Sequence, residues 1–162
     1  MAKVILICGK ICSGKTYYAR KLAKENNAVI LSTDEVTKDL IDNMQGEFYN
    51  EFAVRVNLYL RKKAAEIAAA GTNVILDWGF WTKKDRREIV SFFNSRKIET
   101  CFYYIQITDT DWQKNIEKRN ALIEKGEGGS DFYVDEGLKN KVLTLFEEPC
   151  PEEVDIIIKN ER

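Results

Sequence analysis

The octapeptide Gly9-Lys10-Ile11-Cys12-Ser13-Gly14-Lys15-Thr16 fits the pattern G-x-x-x-x-G-K-[ST], set between an apolar run at 4–8 and a stretch of helical character at 14–25. The run is short, rich in β-branched residues and stopped by glycine, so it reads as a buried strand. In the following stretch Ala19, Leu22 and Ala23 form one apolar stripe. A glycine-rich loop between a strand and a helix amino terminus is suited to phosphate. Its glycines let the backbone wrap with N–H groups inward, and the helix dipole favours negative charge. Residues Gly9, Lys10, Ile11, Cys12, Ser13, Gly14, Lys15 and Thr16 are therefore the expected nucleotide-binding loop. Lys15 is expected to reach the β- and γ-phosphates, and Thr16 to offer its hydroxyl to Mg²⁺.

Downstream, short apolar segments alternate with longer helical ones. Strands are expected at 28–31, 73–76, 101–107 and 154–158, and helices at 34–42, 83–95, 111–125 and 134–146. A further long helix carries Phe52, Val56, Leu60, Ala64 and Ile67 at spacings of four and three, and ends at Gly71, a good C′ residue. Residues 125–131 (KGEGGSD) are polar and glycine-rich and read as a mobile connection. The alternation implies βαβ units, hence an α/β three-layer sandwich around a five-stranded parallel sheet buried on both faces. The 162 residues, with no repeat or low-complexity linker, read as one domain over 1–162. In such sheets ligands lie beyond the carboxyl ends of the strands. That directs attention to 9–16, 31–35, 77–81 and 108–111.

The chain contains no histidine. A His general base, a Ser–His–Asp triad and His-ligated metals are excluded, and a carboxylate becomes the natural proton acceptor. With 25 basic and 26 acidic residues the net charge is −1, which disfavours nonspecific nucleic-acid binding. Cys8, Cys12, Cys101 and Cys150 make no C-x-x-C pair, so they read as reduced, mostly buried thiols rather than a zinc or disulfide framework. No segment approaches a membrane span, so a soluble, cytoplasmic protein with no membrane partner is expected.

Two roles are open to Asp34 in Leu31-Ser32-Thr33-Asp34-Glu35. It could decorate the first turn of a helix opened by the Ser32/Glu35 capping box, or it could accept the proton of a substrate hydroxyl; we read it as the base. Asp77 ends the run Val74-Ile75-Leu76 like a Walker B acid, a candidate Mg²⁺ holder with Thr16; the alternative is a turn aspartate. Trp78-Gly79-Phe80-Trp81 could form a core lid or an acceptor wall, so Trp81 is a candidate substrate contact. Among Lys83, Lys84, Arg86 and Arg87, a solvated helix face explains most, while Arg86 is kept as a candidate substrate residue. Arg119, just before the glycine-rich connection, could close over a transferring phosphoryl group or be an ordinary exposed arginine. Thr82-Lys83-Lys84-Asp85 has the letters of a GTPase base-reading motif but the wrong position, and Thr82 with Asp85 reads as a helix cap.

Taken together, GKICSGKTYYA, LSTDEV, VILDWGFW followed by Arg86, EKRN, and FEEPCPEE resemble the small P-loop kinase-like ATP-binding proteins, relatives of polynucleotide 5′-kinase, chloramphenicol phosphotransferase, zeta toxins and gluconate kinase. The resemblance runs from about Lys3 to Val154. It implies a five-stranded parallel sheet with a small lid (about 119–134), Asp34 as general base, Arg119 as a catalytic and nucleotide-contacting lid arginine, and residues 146–149 near the adenine. Tyr17 departs from the small hydroxyl residue common at that place. The expected function is an ATP- and Mg²⁺-dependent kinase using Lys15, Asp34 and Arg119. It transfers the γ-phosphoryl group to a hydroxyl of a small molecule or, less favoured by the net charge, a nucleic-acid 5′ end. The alternative is a nucleotide-binding or ATP-hydrolysing regulatory protein without an acceptor.

Overall fold

The computed structural model describes residues 1–40, 47–129 and 131–161. In chain order the elements are β1 (Lys3–Cys8), α1 (Lys15–Asn26), β2 (Ala28–Leu31), α2 (Thr33–Leu40), α3 (Glu47–Ala69), β3 (Asn73–Gly79), α4 (Lys83–Asn94), β4 (Glu99–Ile107), α5 (Asp109–Glu124), α6 (Glu136–Leu145), a 3-10 turn at Pro151–Glu153 and β5 (Ile156–Asn160). The strands form one all-parallel sheet of order β2-β3-β1-β4-β5.

β1 is central because it is the purest apolar run: Val4 to Cys8 are all fully buried. Its side chains alternate between faces as a strand requires. Val4, Leu6 and Cys8 pack with Ala64 and Ala68 of α3 and Ile89 and Phe93 of α4. Ile5 and Ile7 pack with Ala19 and Leu22 of α1 on the other side. The three expected layers are therefore present. A third cluster, built from Cys12, Trp112, Ile116, Val134 and Val142, joins the glycine-rich loop to α5 and α6. No helix among the described residues is long and apolar enough to cross a membrane.

Helix ends follow local chemistry. Thr108 accepts from the Asp111 N–H and Asp135 from the Leu138 N–H, so α5 starts two residues before the sequence expectation and α6 two after it. Gly71 sits at φ 92°, and the bonds Gly71 N–H to Ala68 and Thr72 N–H to Ile67 close α3 as expected for a C′ glycine. The same pair of bonds, Gly126 to Ile123 and Glu127 to Leu122, ends α5 and fixes its last turn. Residues 41–42 of the expected second helix, and residue 130 of the expected mobile connection, lie outside the described residues.

Two strand boundaries depart from the expectation and matter for the site. β3 does not stop before Asp77 but continues through Gly79. Asp77 pairs in register with Ile7, and a register irregularity follows as Cys8 pairs with Gly79. β5 begins at Ile156 and runs to Asn160, two residues later than its apolar content predicted. Its polar end is recruited by the glycine-rich loop. Cys150 is exposed, so the thiols are not uniformly buried.

Candidate functional site

The loop at 9–16 leaves β1 and enters α1, beyond the carboxyl ends of the strands. Gly9 is needed there because a Cβ would lie 2.6 Å from Ser13 Oγ and 2.9 Å from the Ile105 carbonyl. Gly14 has φ 94°, and a Cβ on it would lie 2.5 Å from Asn160 Nδ2. The loop is shaped from outside, through its carbonyls. Trp112 Nε1 donates to Ile11 O at 2.7 Å, Asn115 Nδ2 to Cys12 O at 3.1 Å and Asn160 Nδ2 to Ser13 O at 2.9 Å. Lys10 O accepts from Ser13 N–H at 3.1 Å and from Lys15 Nζ at 2.7 Å. Four consecutive carbonyls are thus engaged. The first N–H groups of α1, which lack intrahelical acceptors, are left to face an anion. Asn160, Trp112 and Asn115 were not picked out from the sequence as supports of this loop. Their signal was position alone: the end of a strand and the first turns of a helix at the same sheet edge.

Thr16 and Asp77, expected to act together, are joined directly. Thr16 Oγ1 donates to Asp77 Oδ2 at 2.9 Å. Asp77 is 8% exposed, and the pair supplies two hard oxygen donors beside Lys15. Loss of water lowers the Lys15 pKa, and Arg119 adds to the effect; Asp77 and Asp34 oppose it. Both carboxylates therefore lie within electrostatic reach of the ammonium.

Asp34 is exposed at the start of α2, and the protein around that end of the cleft removes part of its carboxyl's water. That loss of water raises its carboxyl pKa, Lys15 and Arg119 oppose the shift, and Asp77 and Asp131 reinforce it. The capping contact also exists, Glu35 N–H to Ser32 Oγ at 3.3 Å, so the cap is made by Ser32 and leaves Asp34 available. Beneath it, buried Thr33 donates to Asn57 Oδ1 of α3 at 2.6 Å and fixes the turn.

Arg119 lies on α5 with Nη2 3.5 Å from Asp131 Oδ1, its side chain 22% exposed. It influences Lys15, Asp34 and Cys12, so the structure brings it to the same cleft. Lys38 of α2 donates to the Gly129 carbonyl, linking α2 to the connection after α5. Lys10 lies 4.8 Å from the Trp112 ring centre, 6.0 Å from that of Phe146 and 3.4 Å from Asp109 Oδ1. Trp81 is half-buried against the third cluster, and its carbonyl accepts from Glu147 N–H at 2.8 Å.

Arg86 is placed differently from either sequence reading, being neither solvated nor on the cleft wall. It is 2% exposed, pairs with both Glu153 oxygens at 3.3 Å, and donates to the carbonyls of Phe80, Trp81 and Glu147 at 3.1, 3.4 and 2.8 Å. It shares the inward face of α4 with Ile89 and Phe93, a spacing visible in the sequence. Arg86 thus ties the end of β3 to the 146–153 segment. Arg86→Ala should lower stability by about 3 kcal/mol, the low end for breaking a buried pair, because Glu153 keeps part of its surface in water. Denaturant unfolding checks this; a loss of only a few tenths would make Arg86 an ordinary surface group.

A glycine-rich loop joining the central strand to the first helix, in a parallel sheet of order β2-β3-β1-β4-β5, defines a P-loop kinase-like α/β protein. Residues 4–149 match the family model described as an AAA domain (AAA_33), and the chain belongs to that family. Among solved structures it is similar to a candidate kinase from Chloroflexus aurantiacus, with 18% identity over 98% of this chain and 88% of that one and a TM-score of 0.74. It is similar to Kti12 of Chaetomium thermophilum, solved with ADP-AlF3, with 16% identity, 97% and 88% coverage and a TM-score of 0.73. It is also similar to the APS kinase CysC of Mycobacterium tuberculosis, solved with AMPPNP and APS, with 16% identity, 99% and 90% coverage and a TM-score of 0.70. At such identities the likeness is one of fold. No curated protein sequence matches the chain.

Proposed function

We propose that the protein is an ATP- and Mg²⁺-dependent kinase that transfers the γ-phosphoryl group to a hydroxyl of a small molecule. The observation that carries this reading is the convergence on one cleft of Lys15, the Thr16–Asp77 pair at 2.9 Å, Asp34 and Arg119. The APS kinase neighbour, which holds a nucleotide analogue together with a small acceptor, supports it.

Each residue has a distinct task. The loop N–H groups and Lys15 bind and orient the phosphates. Thr16 and Asp77 would hold Mg²⁺ through oxygen, the donor type that ion prefers. Among the described residues no group of three or more Asp, Glu, Cys or His forms a metal cage, and Mg²⁺ at phosphate sites needs only one or two protein oxygens. The bound ion would neutralise charge on the phosphate oxygens. Asp34 takes the proton from the acceptor hydroxyl, the only step in which a proton must move at the nucleophile. Arg119, on a lid of about residues 119–134, stabilises the charge on the transferring group. The adenine lies near Phe146 and Trp112, and Trp81, which packs on the same cluster, backs that end of the cleft rather than the acceptor. Arg86 supports the Trp81 backbone rather than touching substrate.

Lys15→Ala should abolish most turnover and weaken ATP binding, because the fixed charge at the phosphates is lost; calorimetry with ATP and Mg²⁺ measures the second effect. Unchanged affinity and activity would remove the phosphate-loop assignment. The kinase reading itself is tested by ADP production. A matching hydroxyl acceptor should raise it well above the rate with water. ADP production that no acceptor from a broad hydroxyl panel increases would favour an ATP-hydrolysing protein.

A further inference from the structure

A groove between α3 and α4, on the opposite side of the sheet from α1, is independent of the cleft just described. It has a volume of about 630 Å³ and is lined by Arg61 from α3, by Arg87, Glu88, Ser91 and Phe92 from α4, and by Ser95 and Arg96 just past its end. Along α4 and its C-cap, Arg87, Ser91 and Ser95 recur every four residues and form one row, with Phe92 beside it and Arg96 just beyond the helix end.

Two of the guanidinium groups are held in place by Phe92. Arg96 Cζ lies 3.7 Å from the ring centre and Arg61 Cζ 4.8 Å from it. Arg96 Nη1 also donates to Phe92 O at 2.9 Å and Ser95 Oγ at 3.2 Å. Among the described residues, no carboxylate pairs with Arg61, Arg87 or Arg96. The one acid of the groove, Glu88, lies 3.8 Å from Lys84 instead. Arg61 Nε is buried and has no hydrogen-bond acceptor among those residues. Three arginines and one acid thus line the groove, leaving an excess of positive charge with no direct ion pair to the arginines, in a chain whose net charge is −1. Like charges gathered at one place repel, and a bound anion relieves the repulsion.

We propose that this groove binds a small polyanion carrying two or three phosphate groups. The chemistry favours phosphate because guanidinium forks match its oxygens, and several forks around one groove exceed what a single carboxylate can accept. The Ser91 and Ser95 hydroxyls are small groups that leave room beside them. The ligand is small because the unpaired arginines are confined to one groove, whereas a nucleic-acid strand is tracked by a basic stripe.

The test is a two-dimensional ¹⁵N NMR titration of the full chain with inorganic tripolyphosphate. The proposal predicts saturable shifts of the Ser91, Phe92 and Ser95 amides. Tripolyphosphate at the nucleotide loop would move Gly14 and Thr16 instead, so each site is read separately. Arg87→Gln with Arg96→Gln should weaken the α4 response at least about tenfold while leaving the Gly14 and Thr16 response intact. Should the double variant fail to fold, Arg87→Gln alone serves, since this exposed residue should still weaken binding severalfold. Absence of α4 shifts at millimolar tripolyphosphate, or shifts unchanged in the variants, would overturn the proposal. Equal binding of citrate would overturn the phosphate class. Tighter binding of a mixed-sequence oligoribonucleotide to the same amides would overturn the small-ligand assignment.

Discussion

Arg119→Ala is expected to lower kcat by about 10³-fold or more while changing ATP affinity little, because arginines that meet a transferring phosphoryl group are worth 10³–10⁵ in rate. The geometry behind the expectation is a guanidinium on a well-ended helix, aimed at the cleft holding Lys15 and Asp34 and restrained by Asp131 at 3.5 Å. The contact with Asp131 is partly exposed and worth little by itself, so it can be exchanged for phosphate oxygens at small cost. Arg119→Lys should not restore the rate, since one ammonium cannot reproduce the planar fork. Steady-state kinetics with saturating acceptor make the measurement. A variant with wild-type kcat would reduce Arg119 to a surface residue that happens to touch Asp131.

Asp34→Asn is the second large effect, a fall of about 10²–10⁴ in kcat with nearly unchanged ATP affinity. Its pH dependence distinguishes a base from a cap. Loss of water holds the Asp34 carboxyl above its ordinary value, with Lys15 opposing the shift. A base must be ionised, so activity should fall as pH drops through this raised pKa, and the acid limb of kcat/KM should lie above the usual carboxylate range. The limb should vanish in the Asn variant. The stability sign is opposite to that of a salt-bridged acid. The native state binds the Asp34 proton more tightly than the unfolded chain, so stability falls as pH rises from the ordinary carboxylate value to the raised one. Asn carries no charge to desolvate, and at neutral pH the variant should melt at the same or a higher temperature. Normal turnover together with a lower melting temperature would assign Asp34 to the helix cap.

The sheet was legible because its strands read as short apolar runs, above all β1, whose Val4 to Cys8 are buried throughout; the edge strands β2 and β5 are partly exposed. The long helix was legible from its Val56, Leu60 and Ala64 spacing, and its end from Gly71. The places where reading failed are those where tertiary contacts override composition. β5 ends in Lys159 and Asn160, which do not read as a strand, yet Asn160 is 4% exposed because it grips the Ser13 carbonyl. β3 continues past Asp77 because β1 pairs with it through the irregularity at Cys8. Arg86 lies among charged neighbours, and only its phase with Ile89 and Phe93 marks it as inward. The place of the loop between β1 and α1, and the meeting of Thr16 with Asp77 at one sheet edge, were legible because the glycine spacing and the acid at the end of an apolar run fix where they fall in the fold. Their supports, Trp112 and Asn115, were not, since an indole or amide bonding a carbonyl about a hundred residues away leaves no local pattern.

The most direct measurement of the central claim follows the γ-phosphoryl group itself. The protein is incubated with Mg²⁺, γ-labelled ATP and a panel of hydroxyl-bearing small molecules, and the destination of the label is read. The account predicts that, for at least one acceptor, label is fixed on the acceptor oxygen far faster than it is released as inorganic phosphate, and that this transfer is lost in Lys15→Ala and in Asp34→Asn. Label that goes only to inorganic phosphate whatever hydroxyl is offered, at a rate indifferent to Asp34, would contradict it.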